Sequence, residues 1–295
     1  MADQFDVIEV GERGRRKWLG FVILLALLAI PVAGLLASRD PAPRPDAGLE
    51  AVPDPIQSLR TVRNNAPNVL NAKSEPKGDD EIIRVVFPHG VRAEIRYPAG
   101  LALDELGSRP FQGAWIDGQY RRLLAPYGGE VEVSKGGEPI RKLTSNVQLW
   151  PRQPGSGSYG QVLLFSFGTW RLALYDRLDG LTFEQRMAMA EGLHGRLTKD
   201  GYLVLTGDGP VRLAKPGETV RGDPVGPQLW FGGVIGDTVV FTPTPGCAKA
   251  AEAPALMERR GRPAQSVCRG DVRIAVAGSP SFVQQAVKGI RITLK

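Results

Sequence analysis

From Trp18 to Ala37 the chain runs for twenty residues without a charged side chain. As a helix this stretch rises about 30 Å, the thickness of the hydrocarbon core of a bilayer. Arg13, Arg15, Arg16 and Lys17 crowd its N-terminal side, whereas Arg39 and Arg44 flank the other side at wider spacing. Orientation follows the Lys and Arg count and not the net charge. The pattern therefore predicts a short cytoplasmic tail (1–17), one transmembrane helix (18–37) and a C-terminal part outside the cytoplasm. Pro31 is compatible with a membrane helix. A cleaved signal peptide is the competing reading. Its apolar stretch runs about 7–15 residues and ends at small residues, whereas this one is longer and ends Leu35-Leu36-Ala37. In both readings the remainder is exported.

Residues 38–80 carry seven prolines (41, 43, 45, 53, 55, 67 and 76) and few large apolar residues. Such a stretch predicts an extended Pro-rich stalk without a core. From Glu81 the pattern changes to short apolar runs broken by Gly, Pro and Asp. Ile82–Phe87 and Val91–Tyr97 flank Pro88-His89-Gly90, and Val162–Phe167 and Trp170–Tyr175 flank Gly168-Thr169. Each pair predicts a hairpin. Val272–Ala277, preceded by Ser266–Cys268, predicts the end of a third. A helical candidate follows each pair: Leu101–Leu106, Thr182–Leu197 and Pro280–Lys288. The middle one opens with a capping box, Thr182 and Gln185, and aligns Phe183, Met187, Ala190, Leu193 and Leu197 on one face. The last has Ser279 as cap and Pro280 at its first position. These elements make residues 81–295 an extracytoplasmic α+β domain: a largely antiparallel sheet with a few short helices. Any division into two subdomains falls near the Gly/Ser-rich residues 151–160.

Composition adds an ordinary globular balance, 42% hydrophobic and 23% charged, with a net charge of +6. Arg, Ala, Gly and Pro usage suggests a bacterial protein. The positive excess is spread along the chain, so it suits anionic surroundings such as a membrane surface or an anionic wall polymer. No basic helix or aromatic RNA-binding motif points to nucleic acid.

Motifs for chemistry are sparse. The two histidines lack metal spacing: His89 sits in a turn, and His194 falls on the apolar face of the middle helix. No nucleophile motif is present, and Gly155-Ser156-Gly157-Ser158 is loop punctuation. No cofactor or metal is called for. Cys247 and Cys268, an even pair in an exported domain, predict one disulfide. Arg259, Arg260 and Arg262 form a candidate anion patch within its loop. Phe111–Tyr127 interleaves Phe111, Trp115, Tyr120 and Tyr127 with Arg121 and Arg122. Aromatic residues and Arg are enriched at binding hot spots, and aromatics also fill cores. The sequence thus predicts a membrane-anchored binding or interaction domain of a bacterial cell envelope, its partner an envelope protein or wall polymer. The alternatives are a carboxylate-dependent hydrolase using Asp176, Asp179 and Glu184, or a single-pass signalling protein.

Overall fold

The computed structural model describes residues 68–152, 159–177, 180–233, 236–247 and 262–295. The expected tail, the span Trp18–Ala37, the stalk up to residue 67, Gly155-Ser156-Gly157-Ser158, Asp179, Arg259 and Arg260 lie outside the described residues. Among the described residues no helix is long and apolar enough to cross a membrane.

The strands run β1 (Ser74–Lys77), β2 (Asp80–Val86), β3 (Arg92–Pro98), β4 (Ser108–Ile116), β5 (Gln119–Leu124), β6 (Arg141–Lys142) and β7 (Val147–Trp150). They continue with β8 (Tyr159–Phe167), β9 (Trp170–Arg177), β10 (Leu193–Leu197), β11 (Leu203–Gly207), β12 (Val211–Leu213) and β13 (Thr219–Val220). The last are β14 (Asp223–Pro224), β15 (Gln228–Phe231), β16 (Thr238–Pro243), β17 (Ala264–Arg269), β18 (Val272–Ala277) and β19 (Arg291–Leu294). Among the described residues four short α-helices intervene: α1 (Leu103–Leu106), α2 (Gly129–Ser134), α3 (Phe183–Gly192) and α4 (Pro280–Gly289). The class is α+β, with every strand pair antiparallel.

An eleven-stranded sheet runs β17-β18-β16-β15-β4-β5-β9-β8-β7-β6, with β12 also paired to β4. A four-stranded sheet, β1-β2-β3-β19, covers one end of it. Its inward residues Ile83, Val85, Ile95 and Tyr97 join Phe231, Val239, Phe241, Ile274 and Val276 of the large sheet in one core. Phe282, Val283 and Ala286 of α4 complete that core. At the other end Leu123, Leu163, Phe165, Leu172 and Leu174 pack beneath Met189 and Ala190 of α3 and Leu203 and Leu205 of β11. The three expected hairpins form, each followed by helix, because apolar alternation commits one strand face to these cores.

Three expectations change. The fold starts earlier than Glu81: β1 pairs with β2, and the backbones of Asn68 and Leu70 bond to Tyr127 and Ser108. The polar run Ser74–Lys77 joins through its backbone as an edge strand, which needs no apolar side chains. The two strands on either side of the stretch 151–160, β7 and β8, pair with each other, and the described residues belong to one compact unit. The middle helix keeps its capping box but ends at Gly192. Leu193–Leu197 instead pairs with β11 over five residues, and Gly195 lies against the Phe167 ring, too close for any Cβ. Ladder pairing overrides the helical period there. Phe183 and Leu197 are accordingly exposed, Met189 takes the buried place, and His194 leaves the core to meet Asp208 at 2.9 Å on the surface.

Candidate binding surface

The segment Phe111–Tyr127 is a hairpin and its exit. Asp117 and Gly118 both take positive φ, 48° and 73°, the geometry of a tight two-residue turn whose twist matches that of the strands. The register sets Trp115 opposite Tyr120, Gly113 opposite Arg122 and Phe111 opposite Leu124. Strand alternation therefore gathers Phe111, Trp115, Tyr120 and Arg122 on one face. Arg121 points to the other face, where it is buried with Ala114 and Leu123. Of the six residues singled out from the sequence, four thus share one face, with Phe111 buried and Trp115, Tyr120 and Arg122 half-buried. Tyr127 lies at its rim, 42% exposed, with the guanidinium of Arg109 5.5 Å from its ring centroid.

Later strands extend this face. Arg212 of β12 is in register with Trp115, its guanidinium 5.3 Å from that ring centroid. Trp230 of β15 lies 6.2 Å from Phe111 between ring centroids, and Arg122 stands 5.9 Å over Phe111 on the other side. Trp115 and Tyr120 are 5.5 Å apart, tilted by 56°. Such contacts contribute about 0.5–1.5 kcal/mol each for aromatic pairs and somewhat less for exposed cation–π pairs. Trp230 donates its indole N–H to Gln228 at 2.8 Å, which fixes the ring. Gly113 lets residues 214–225 lie on the sheet: its N–H donates to Val225 O, its carbonyl accepts from Ala214, and a Cβ would overlap Val225 O. That arm brings Glu218 into a two-pronged pair with Arg212 at 2.8 and 2.9 Å. The Arg212 guanidinium, helped by the Lys215 N–H, holds the Glu218 carboxyl down to about 2. Arg122 differs. Its Nε is buried with no hydrogen-bond partner among the described residues.

The disulfide joins Cys247 to Cys268, with Cα atoms 5.9 Å apart. Arg262 is exposed next to β17, and with Arg259 and Arg260 outside the described residues no geometry of an anion patch is defined. His89 is half-buried in the β2–β3 turn, 6.0 Å from Phe87 between rings, and burial pushes its pKa down. Asp176 is 1% exposed, receiving the Leu181 N–H at 2.7 Å and Arg186 at 3.1 Å, with Arg121 Nε 3.8 Å away. It ties the β9 exit to α3 and is sealed from any substrate. Glu184 is exposed at the start of α3, its pKa lowered by its own backbone N–H and the Thr182 hydroxyl. Among the described residues no three His, Cys, Asp or Glu side chains gather as a metal site.

Arg212, Glu218, Gln228 and Trp230 were not legible as site residues, since each is isolated in sequence and reaches Trp115 or Phe111 only through strand pairing. Comparison of the chain with protein-family models, with curated proteins and with solved structures finds no match.

Proposed function

We propose that this chain is an exported, single-pass membrane protein whose domain binds an envelope partner through the Arg–aromatic face of β4, β5, β12 and β15. The observation that carries the reading is the pairing of two guanidinium groups with aromatic rings, Arg122 over Phe111 and Arg212 over Trp115, on a face where Trp115, Tyr120, Arg122 and Trp230 stay partly exposed. A carboxylate or phosphate from a partner suits a guanidinium on such a face, which can meet either with two parallel N–H bonds. Aromatic and Arg side chains clustered around it are the types that anchor interfaces. The disulfide supports an oxidising compartment, and the uncharged stretch Trp18–Ala37 behind Arg13–Lys17 supports anchoring with the N-terminus inside. An envelope protein and an anionic wall polymer both offer the required anion.

Two experiments test this. A photo-crosslinking amino acid at position 120 of the full chain in native membranes should give a discrete adduct that Arg122→Glu abolishes. An adduct indifferent to Arg122→Glu, or none, removes the face from consideration. A reporter fused after Lys295 should be active only outside the cytoplasm, and cytoplasmic activity would end the topology argument.

A further inference from the structure

The four-stranded sheet turns its other face outward. Ile83, Val85, Ile95 and Tyr97 point into the core, so β2 and β3 direct Arg84, Arg92, Glu94 and Arg96 outward. The same alternation places Lys77 on β1 and Arg291 and Lys295 at β19 on this outer face, where Arg291 pairs in register with Arg96. The face thus carries six cations: Lys77, Arg84, Arg92, Arg96, Arg291 and Lys295. It carries three carboxylates, and each already has a cation: Glu75 with Arg84, Asp80 with Arg96 and Glu94 with Lys295. Six less three leaves three positive charges without a counter-charge, Lys77, Arg92 and Arg291. Arg291 bonds to the carbonyls of Lys288 and Ile290. Arg96, held by Asp80, and Arg291, held by carbonyls at the end of α4, stand side by side and add to the positive potential of the face.

We propose that this outer face rests on a surface of anionic phospholipid headgroups. A sheet face with its excess cations spread over neighbouring strands can meet a plane of fixed negative charge at several points at once. Each cation near such a surface contributes about fivefold in affinity, so three give on the order of a hundredfold. That is weak for a free protein, and sufficient for one held at the membrane by a tether, where the effective concentration is high. The inference therefore rests on the anchored reading. β1 is the first strand among the described residues, and the thirty residues from 38 to 67 between Ala37 and Asn68 span at most roughly 100 Å, so the sheet can reach the bilayer. Beside the face, Lys73, Lys199 and Arg84 line a cleft of about 550 Å³ together with Glu75 and Asp200, which gives a headgroup room at its edge.

The test uses the full chain in lipid nanodiscs of phosphatidylcholine alone or mixed with phosphatidylglycerol. Acetylation of lysines is followed site by site by mass spectrometry. Lys77 and Lys295 should react severalfold more slowly in the anionic discs, with Lys142 on β6 unchanged. High salt should restore them, because screening shortens to about 3 Å at 1 M, and Arg92→Glu with Arg291→Glu should abolish the protection. Equal rates in the two discs, or protection extending to Lys142, would overturn the proposal. Protection brought about by a soluble polyanion in neutral discs but not by the lipid would overturn it in favour of a wall polymer. Failure to enter neutral discs counts against the anchored reading instead. In that event vesicles are titrated to high lipid concentration at low salt, where co-sedimentation should favour phosphatidylglycerol over phosphatidylcholine about a hundredfold, and equal binding to the two overturns the inference.

Discussion

Replacing Asp176 with Ala tests whether that carboxylate is an anchor of the fold. The side chain is 2% exposed and accepts the Leu181 N–H at 2.7 Å and Arg186 at 3.1 Å, with Arg121 close by. Its removal strands a buried amide donor, which costs about 1–3 kcal/mol. It also leaves two guanidinium groups short of counter-charge, and breaking a buried pair from one side costs about 3–5 kcal/mol in all. The Arg186 side chain is 18% exposed and regains some water, so the lower end, about 3 kcal/mol, is expected. At roughly 2–4 °C per kcal/mol for a domain of this size, the melting midpoint falls by about 6–12 °C. Asp176→Asn keeps an acceptor for Leu181 and should lose less. Replacing Asp176 by Leu together with Arg121→Met and Arg186→Met should recover most of the stability, since an apolar substitute for a buried ionic cluster is often neutral. Urea denaturation of residues 56–295 by tryptophan fluorescence reads all three. A loss below about 1 kcal/mol for Asp176→Ala would refute the anchoring role and return this carboxylate to the list of groups available for chemistry.

Four further outcomes are expected. Thr182→Ala should destabilise by about 1 kcal/mol and Leu193→Ala by about 2–5 kcal/mol, whereas Phe183→Ala and Leu197→Ala, both exposed, should be within about 0.5 kcal/mol of neutral; a large effect at Phe183 would restore the longer helix. Free-thiol labelling of the unfolded, unreduced protein should find no thiol, and Cys247→Ser should lower stability by about 3 kcal/mol in non-reducing buffer; two labelled thiols would contradict the bridge. Burial depresses the folded-state pKa of His89, so the unfolded chain binds the proton first and stability falls as pH drops below about 6.5, a slope that His89→Gln should remove from urea midpoints. Glu218, held down to about 2, contributes stability above about 4.3 that is lost as pH falls towards 2, and Glu218→Gln should flatten that separate window.

The hairpins at Pro88-His89-Gly90 and Gly168-Thr169, the Thr182–Gln185 box, the Ser279-Pro280 start and the cysteine pairing were all legible in the chain. Each depends on residues that are neighbours, or on two cysteines with no other choice of partner. Asp117-Gly118 carries an equally local turn signal, placed between apolar runs, yet Phe111–Tyr127 reads first as a cluster of aromatics and arginines. Following the turn would have revealed the alternation that separates Arg121 from Arg122.

What remained for the tertiary structure was the outcome of competition between local and distant partners. Leu193–Leu197 continues a helical period, but five ladder pairs with β11 and the burial of Leu193 outweigh it. Ser74–Lys77 lacks any apolar pattern and becomes a strand because β2 has an edge to fill. The binding face is of the same kind: Trp115 meets Arg212 ninety-seven residues on, and Phe111 meets Trp230, through a register that only the folded sheet defines. Periodicity determines which side of a strand is apolar. It does not determine which strands lie side by side, because that choice is made by the whole core at once.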